Sequence, residues 1–358
     1  MKHESEHIRA QSCRKAQLSI TITALSGEEG VEPMKEIVSM LLVCLLALSV
    51  VAMAEGQYPV TWSQNLNGSD FDFSVEAAPA KAVSMSQATT EMMLALGLAD
   101  KMAGTAFLEE EIYESLADEY AKVPVLAEKW PSYEVFMAAE PDFTTGWAVP
   151  FTQRAIPAED IVAQNVPIFV PESMLRTDAT LDTLFDDLLM YGKIFDAQET
   201  AEAYVAAEKE KLAEVQAKLE GLDEVTCFIY DSTDEDDQIY TAFEGYTTNL
   251  LKLIGANNIL SGKGVDKTWD YAGWETVLAE NPQYIIICDY STSIRNTDDF
   301  DAKVENLKSN PALADLDAVK NGNFVRVRLS EITPGVRSVD ALVRLAEEIH
   351  GVALEEAA

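Results

Sequence analysis

Along most of the chain, segments with the two-residue hydrophobic period of a strand alternate with segments that have the hydrophobic period of a helix. The stretch "YPVTWSQNLNGSDFDFSV" alternates at every second residue around Asn67-Gly68, which predicts a β-hairpin. The next stretch, "KAVSMSQATTEMMLALGLADKMAGTA", predicts a short apolar strand, a helix that ends at Gly97, and a second strand. This order of elements is typical of a parallel sheet with helical crossovers. We therefore predict an α/β fold.

The pattern changes between Leu181 and Leu222, where no strand signal occurs. The second half of this segment is rich in alanine, glutamate and lysine and ends near Gly221. It predicts one long helix of roughly 25 residues, about 37 Å in length. A coiled-coil dimer is the alternative, but the apolar heptads are too short to favour it. Strand and helix patterns resume afterwards, so we predict two Rossmann-like lobes joined by one long interlobe backbone helix.

One motif occurs twice, as "SYEVFMAAEPDF" at 132–143 and as "GWETVLAENPQY" at 273–284. Each copy has a glutamate in the third position, Glu134 or Glu275, followed by apolar residues at helical spacing and then a proline. Each copy predicts a short amphipathic helix that leads into a buried strand. Because the surrounding elements also repeat, we predict a pseudo-symmetric chain.

The beginning of the chain resembles an export signal. From Met34, "MKEIVSMLLVCLLALSVVAMAEGQ" has a lysine, an apolar run and a small-residue cleavage site that ends at Ala54. We predict cleavage after Ala54 and residence in the periplasm or at the extracytoplasmic face. An uncleaved anchor and lipid attachment at Cys44 are the alternatives. The predicted ranges are 1–33 for an upstream extension from a misassigned start, 34–54 for the signal peptide, 55–176 for the N-terminal lobe, 177–222 for the helical segment and 223–358 for the C-terminal lobe.

Composition narrows the classes of function. The 358 residues include 61 acidic and 26 basic side chains, a net charge of −35, which repels nucleic acid and anionic membranes. Of the three histidines, only His350 follows the predicted signal, which argues against His-rich zinc sites and Ser-His-Asp catalysis. We predict no catalytic residues, no metal ligands and no cofactor. Cys227 and Cys288 lie in apolar strand patterns and are predicted to be buried free thiols, with a disulfide between neighbouring strands as the alternative.

Ligands of two-lobed α/β proteins contact the loops at the carboxyl ends of the strands. In this sequence those loops are rich in aromatic and hydroxyl side chains. Aromatic faces can stack on a planar or macrocyclic ligand, and arginine can hold the anionic oxygens of a chelate. Core packing is the alternative for each aromatic residue. The predicted cleft residues are Ser86, Gln87, Phe107, Trp130 and Trp147 in the first lobe, and Tyr230, Phe243, Tyr246, Trp269 and Tyr290 in the second, with Arg295 and Arg337 as cations.

From about Lys81 to Gly351 the sequence resembles class III periplasmic-type solute-binding proteins, which deliver ferric siderophores, haem and cobalamin to ABC importers. The opening strand-helix-strand, the two repeated motifs and "NPALADLDAVKNGNFVRV" carry the resemblance. It implies that Glu134 and Glu275 dock onto the two permease subunits and that the long helix limits hinge closure. It also implies ligand contact for Trp269, and more loosely for Trp130.

We therefore expect an extracytoplasmic monomer that captures a metal chelate or tetrapyrrole and delivers it to an ABC permease dimer with its ATPase. Ferric siderophores, corrinoids and other anionic ring systems fit this expectation about equally, and haem would need a tyrosine ligand. The alternatives are a free Mn or Zn binding protein, a secreted α/β enzyme, and a sensor or adhesin on the same fold. A metal-ion protein would need three or four His, Asp or Glu ligands.

Overall fold

The computed structural model describes residues 58–233, 238–290 and 300–353. Its first element is an antiparallel hairpin of β1 (Val60–Leu66) and β2 (Ser69–Val75). Asn67 and Gly68 form the turn with positive φ angles of 56° and 90°, a conformation that asparagine and glycine adopt readily. The predicted hairpin is thus confirmed. The predicted signal peptide lies outside the described residues, and the predicted lobe boundaries stay predictions.

Five short parallel strands form the sheet of the first lobe, in the order β5-β4-β3-β6-β7. The strands are β3 (Ala82–Ser84), β4 (Met102–Ala106), β5 (Val125–Ala127), β6 (Phe143–Thr145) and β7 (Ile168–Phe169). The helices of this lobe are α1 (Gln87–Ala95), α2 (Ala117–Tyr120), α3 (Tyr133–Ala138), α4 (Ala158–Val162) and α5 (Glu172–Leu175). The strand order reverses between β3 and β6, and the carboxyl ends of strands at such a point are where α/β sheets bind ligands.

Two helices follow the first lobe, α6 (Leu181–Phe195) and α7 (Gln198–Leu219). Helix α7 has 22 residues and is the predicted interlobe helix, about 33 Å long at 1.5 Å per residue. The two helices approach closely at Gly192, where a Cβ atom would lie 2.7 Å from the Cβ of Ala201. Any larger residue at position 192 would therefore push α7 away from α6.

The second lobe repeats the parallel architecture and adds an antiparallel sheet. Its parallel sheet has the order β11-β8-β13-β14, and its antiparallel sheet has the order β12-β10-β9. The strands are β8 (Val225–Tyr230), β9 (Ser232–Thr233), β10 (Ile239–Ala242), β11 (Ala256–Asn258), β12 (Trp269–Ala272), β13 (Tyr284–Cys288) and β14 (Phe324–Val327). The helices are α8 (Tyr246–Lys252), α9 (Trp274–Glu280), α10 (Phe300–Ser309), α11 (Asp317–Asn321), α12 (Leu329–Ile332) and α13 (Ser338–His350). The antiparallel sheet was not predicted from the sequence.

Both copies of the repeated motif adopt the predicted conformation. The first forms α3 and leads into β6, and the second forms α9 and leads into β13. Both parallel sheets and the long helix between them confirm the predicted fold class. Cys227 and Cys288 are fully buried free thiols on β8 and β13, as predicted. Burial raises the pKa of the Cys227 thiol to about 12.

Candidate ligand-binding cleft

A small pocket lies where the carboxyl ends of the two parallel sheets face each other. The pocket encloses about 40 Å³, which is room for only a few water molecules. Both lobes contribute to its wall, so it marks the interlobe cleft. The residues that line it are Gln87, Ala88, Glu91, Glu109 and Glu110 from the first lobe and Asp289, Tyr290, Leu329, Ser330, Thr333 and Gly335 from the second.

Three predicted aromatic residues of the first lobe form one cluster, Phe107, Trp130 and Trp147. The ring of Phe107 stacks on Trp130 with centroids 4.7 Å apart and planes 13° apart, and Trp147 lies 6.2 Å and 6.4 Å from these two rings. The indole N–H of Trp130 donates to the carbonyl oxygen of Met85 at 3.1 Å. The buried indole N–H of Trp147 has no acceptor among the residues that the structure describes. The cluster is half-buried and presents aromatic surface beside the ends of β4 and β6.

Ser86 and Gln87 have structural contacts at the start of α1. Ser86 is the N-cap, and its hydroxyl accepts from the backbone N–H of Thr89. The Gln87 side-chain oxygen accepts from the backbone N–H groups of Glu109 and Glu110 at 2.8 Å and 3.0 Å. Gln87 therefore anchors the segment that follows β4, and it also lines the pocket.

Tyr230 and Tyr290 lie together in the second lobe around a buried lysine. The Tyr290 hydroxyl donates to the Asp231 carboxylate. Lys303 is 2% exposed; its ammonium donates to the carbonyl oxygens of Asp231 and Cys288 and lies 4.9 Å from the centre of the Tyr290 ring. Sequence analysis missed Lys303 and Asp231. A signal existed for the lysine, since it shares the buried face of α10 with Leu307, four residues later.

The other predicted aromatic residues of the second lobe are packed among protein side chains. Phe243 and Tyr246 are 3% exposed core residues, and the Tyr246 hydroxyl donates to Ser338 at 2.8 Å. Trp269 begins strand β12 rather than lying in a loop, and its ring stacks on Tyr240 with centroids 5.8 Å apart. The structure thus corrects the predicted placement of Phe243, Tyr246 and Trp269, and their contact with a ligand stays a prediction.

Arg337 was predicted as a cation for the ligand, but it is paired within the protein. Its guanidinium binds both carboxylate oxygens of Glu91, with Nε 2.9 Å from Oε2, and donates to the carbonyl oxygen of Glu111 at 2.8 Å. Arg337 and Glu91 are only 4% and 2% exposed. The pair joins the start of α13 to α1, across the cleft, and contact between Arg337 and a ligand stays a prediction. Arg295 lies outside the described residues.

A second set of polar contacts joins the lobes beside this pair. The Tyr113 hydroxyl donates to Asp340 on α13, and the ammonium of Lys211 on α7 donates to Asp340 and to Glu208, both at 2.9 Å. Burial is the main cause of a raised pKa at both Tyr113 and Glu208. One face of the long helix is thus connected to both lobes.

The two predicted docking glutamates occupy equivalent positions. Glu134 and Glu275 are exposed in the first turns of α3 and α9, and each helix leads directly into a strand of its parallel sheet. Their helices therefore begin at the same edge of the sheets as the cleft. The Glu134 carboxylate accepts from its own backbone N–H and from the Ser132 hydroxyl, which lowers its pKa. The Glu275 carboxylate lies over Gly273, where a Cβ atom would be 2.2 Å from Oε2.

Exposed apolar side chains accompany both glutamates. Tyr133 and Val135 flank Glu134 and are 37% and 43% exposed. Leu278 is 38% exposed and lies three residues after Glu275, on the same helix face. The exposure of these residues was not predicted, because apolar residues in a short amphipathic helix are also typical of core packing. Each motif helix therefore presents a carboxylate beside apolar surface.

Metal ligands and membrane-spanning helices are both absent from the described ranges. No group of three or more His, Cys, Asp or Glu side chains in them is placed to hold a metal ion. No helix in these ranges is long and apolar enough to cross a membrane.

Two parallel α/β lobes with a cleft between them and one long connecting helix define a class III substrate-binding protein. The chain belongs to the periplasmic binding protein family, whose sequence profile matches residues 83–328. A crystal structure of a periplasmic binding protein from Veillonella parvula is 60% identical, with a TM-score of 0.80, and the match covers 83% of this chain and 99% of that one.

Two curated relatives are more distant. An uncharacterized ABC transporter substrate-binding lipoprotein of Bacillus subtilis is 23% identical over 82% of this chain and 86% of its own length. A vitamin B12-binding protein of Photorhabdus laumondii is 22% identical over 65% of this chain and 79% of its own length. The protein is thus an extracytoplasmic substrate-binding protein and not an enzyme. This class of protein delivers to an ABC permease.

Proposed function

We propose that the protein captures a metal chelate or tetrapyrrole, such as a ferric siderophore, a corrinoid or haem, in the interlobe cleft. The aromatic cluster of Phe107, Trp130 and Trp147 carries this proposal, because three adjoining rings offer a rigid surface to a planar or macrocyclic ligand. The vitamin B12-binding relative supports a cargo of this kind. A preorganised aromatic surface also costs little conformational entropy on binding.

Haem differs from the other candidate ligands because its iron needs an axial ligand. Tyr290 lines the pocket, and its hydroxyl donates to Asp231, a carboxylate that would take up the phenol proton when the phenol oxygen binds iron. Haem binding would therefore depend on Tyr290, whereas a corrinoid or a saturated ferric siderophore would tolerate Tyr290→Phe.

We further propose that Glu134 and Glu275 dock the loaded protein onto the two halves of the permease. Three observations support this proposal: the equivalent positions of the two glutamates, their exposure, and the apolar side chains beside each. Apolar residues around a charged contact exclude water and strengthen it. A permease with two-fold symmetry would offer two equivalent partners for the duplicated motif.

Tryptophan fluorescence tests the ligand proposal directly. Residues 55–358 would be titrated with haemin, cyanocobalamin, a ferric trihydroxamate, ferric citrate and bare metal ions. We expect saturable quenching by one chelate. The affinity for that chelate should be at least about tenfold weaker in Trp130→Leu and unchanged in Trp62→Phe. Trp62 is the matched control, because it lies on β1 of the hairpin, packs against Phe143 and Phe169, and donates to the carbonyl oxygen of Ile168. A response to bare metal alone, or to no compound, would contradict the proposal.

A further inference from the structure

A carboxylate of the protein itself occupies the cleft. The segment after β4 lines the cleft, and the Glu110 side chain reaches the start of α12 in the second lobe. Its Oε1 accepts from the Ser330 hydroxyl and lies 3.4 Å from Nη1 of Arg337, and its Oε2 lies 3.9 Å from Nε of Arg328. The Glu110 side chain is 8% exposed, so it is held almost out of water.

Glu110 is not needed to neutralise Arg337. That arginine already has a bidentate carboxylate partner in Glu91 and a backbone carbonyl partner in Glu111. Glu110 is a second, more distant carboxylate on the same guanidinium. Burial raises the pKa of Glu110, and the negative charge of Glu91 adds to that rise. The contacts of Glu110 with Ser330, Arg337 and Arg328 act in the opposite direction, so these contacts hold the carboxylate against the effect of burial.

Ligand entry requires some of these contacts to change. The pocket encloses about 40 Å³, whereas ligand sites for molecules of drug size or larger have about 300 Å³ or more. The Arg337–Glu91 pair is buried and bidentate, and breaking such a pair costs about 3–5 kcal/mol. Arg328 is 37% exposed, so its contact with Glu110 is the one that solvent reaches. The Glu110 contacts with Arg328 and Ser330 would thus be exchanged first.

We propose that Glu110 occupies the anion position of the cleft, against Ser330 and Arg328, and that an anionic group of the cargo displaces it. This inference rests on the proposed chelate cargo. A carboxylate, phenolate or propionate oxygen would accept from the Ser330 hydroxyl and lie close to the Arg328 guanidinium, as the Glu110 carboxylate does. The exchange keeps the local charge constant, because one anion leaves as another enters. Glu110 then acts as an internal competitor that lowers the affinity for anionic chelates.

The first test compares Glu110→Gln with Glu114→Gln, a matched change at an exposed position on the next turn. Chelate affinity would be measured for anionic probes, haemin and ferric citrate, and for a cationic ferric trihydroxamate that carries a free amine. We expect Glu110→Gln to raise the affinity for whichever anionic probe binds by about tenfold, with no gain for the cationic one. Glu114→Gln should match the wild type. An unchanged or lower affinity for the anionic probe would overturn the inference.

The second test needs no chelate. Citrate should raise the thermal midpoint of Glu110→Ala by at least about 2 °C, because a free carboxylate can bind the vacated position. It should not raise the midpoint of the wild type or of Glu110→Ala/Arg328→Met. Absence of a citrate effect in Glu110→Ala would overturn the inference whatever the cargo is. A citrate effect, combined with no chelate binding in any variant, would still support the anion position that Glu110 occupies. The same result would contradict the proposed function.

Discussion

The two lobes are alike on their outer surface and different on the surfaces that face the cleft. Outside, α3 and α9 each present an exposed glutamate with apolar neighbours. Inside, the first lobe offers a cluster of aromatic rings, whereas the second offers tyrosines, a buried lysine and charges that are already paired. A partner with two-fold symmetry would preserve the likeness of the two outer surfaces. A cargo without two-fold symmetry would not require the two cleft surfaces to be alike. The proposed docking thus accounts for a motif that is duplicated on the outer surface and for cleft surfaces that are not.

The largest expected effect concerns the exposed glutamates on the outer surfaces of the two lobes. Glu134→Ala and Glu275→Ala should each reduce import by about 30-fold or more, since losing one partner of a desolvated charge pair costs about 2–5 kcal/mol. The two single changes should have similar effects, and the double variant should import nothing measurable. Transport assays in whole cells, with chelate affinity measured separately, would check this.

Chelate affinity should be unchanged in all three docking variants. Glu202→Ala, an exposed change on α7, should import like the wild type. Import that survives the double substitution would show that docking uses another surface, whereas a wild-type protein that supports no import would favour a sensor or adhesin role.

The next effect concerns the polar wall of the cleft. Arg337→Met should lower the free energy of unfolding by about 3–5 kcal/mol, because it leaves the buried Glu91 carboxylate without its cation. Glu91→Met/Arg337→Met should recover most of that loss, since apolar side chains of similar volume replace a buried pair at little cost. Urea denaturation of the three proteins would measure both effects. A double variant as unstable as the single one would contradict the pairing.

The smallest effect concerns the aromatic wall. Phe107 has a φ angle of 62°, a conformation that costs a non-glycine residue about 1–2 kcal/mol. Phe107→Gly and Phe107→Ala both remove the ring, so both should weaken chelate binding equally. Phe107→Gly should nevertheless be about 1 kcal/mol more stable than Phe107→Ala, because only glycine adopts this conformation without strain. Denaturation and fluorescence titration of the pair would separate the two effects, and equal stability would show that the backbone is unstrained.

Local patterns were sufficient for most of the fold. The hairpin, the long helix and both motif helices follow from periodicity and turn residues within short windows. The antiparallel sheet was missed for two reasons. Strand β9 has only two residues, and its partner β10 pairs with β12, which lies far along the chain.

Periodicity alone was a weaker guide to the cleft. It suggested the aromatic cluster, because Phe107, Trp130 and Trp147 all follow strand patterns. It could not reveal that Arg337 is paired, since its partner Glu91 lies 246 residues away and a buried ion pair leaves no local pattern. Trp130 and Trp269 were both predicted from the sequence to lie in the cleft. In the structure, Trp130 stacks on Phe107 in the cluster, whereas Trp269 stacks on Tyr240 of the neighbouring strand.

The two buried thiols have a practical consequence for handling the protein. The thiolate is the form that attacks a thiol reagent, and burial suppresses that form at both Cys227 and Cys288. These side chains have no exposed surface in the native state, so labelling reports only the molecules that have opened. The rate of thiol labelling therefore measures how often the second lobe unfolds, and a tightly bound cargo should slow it in proportion to its occupancy.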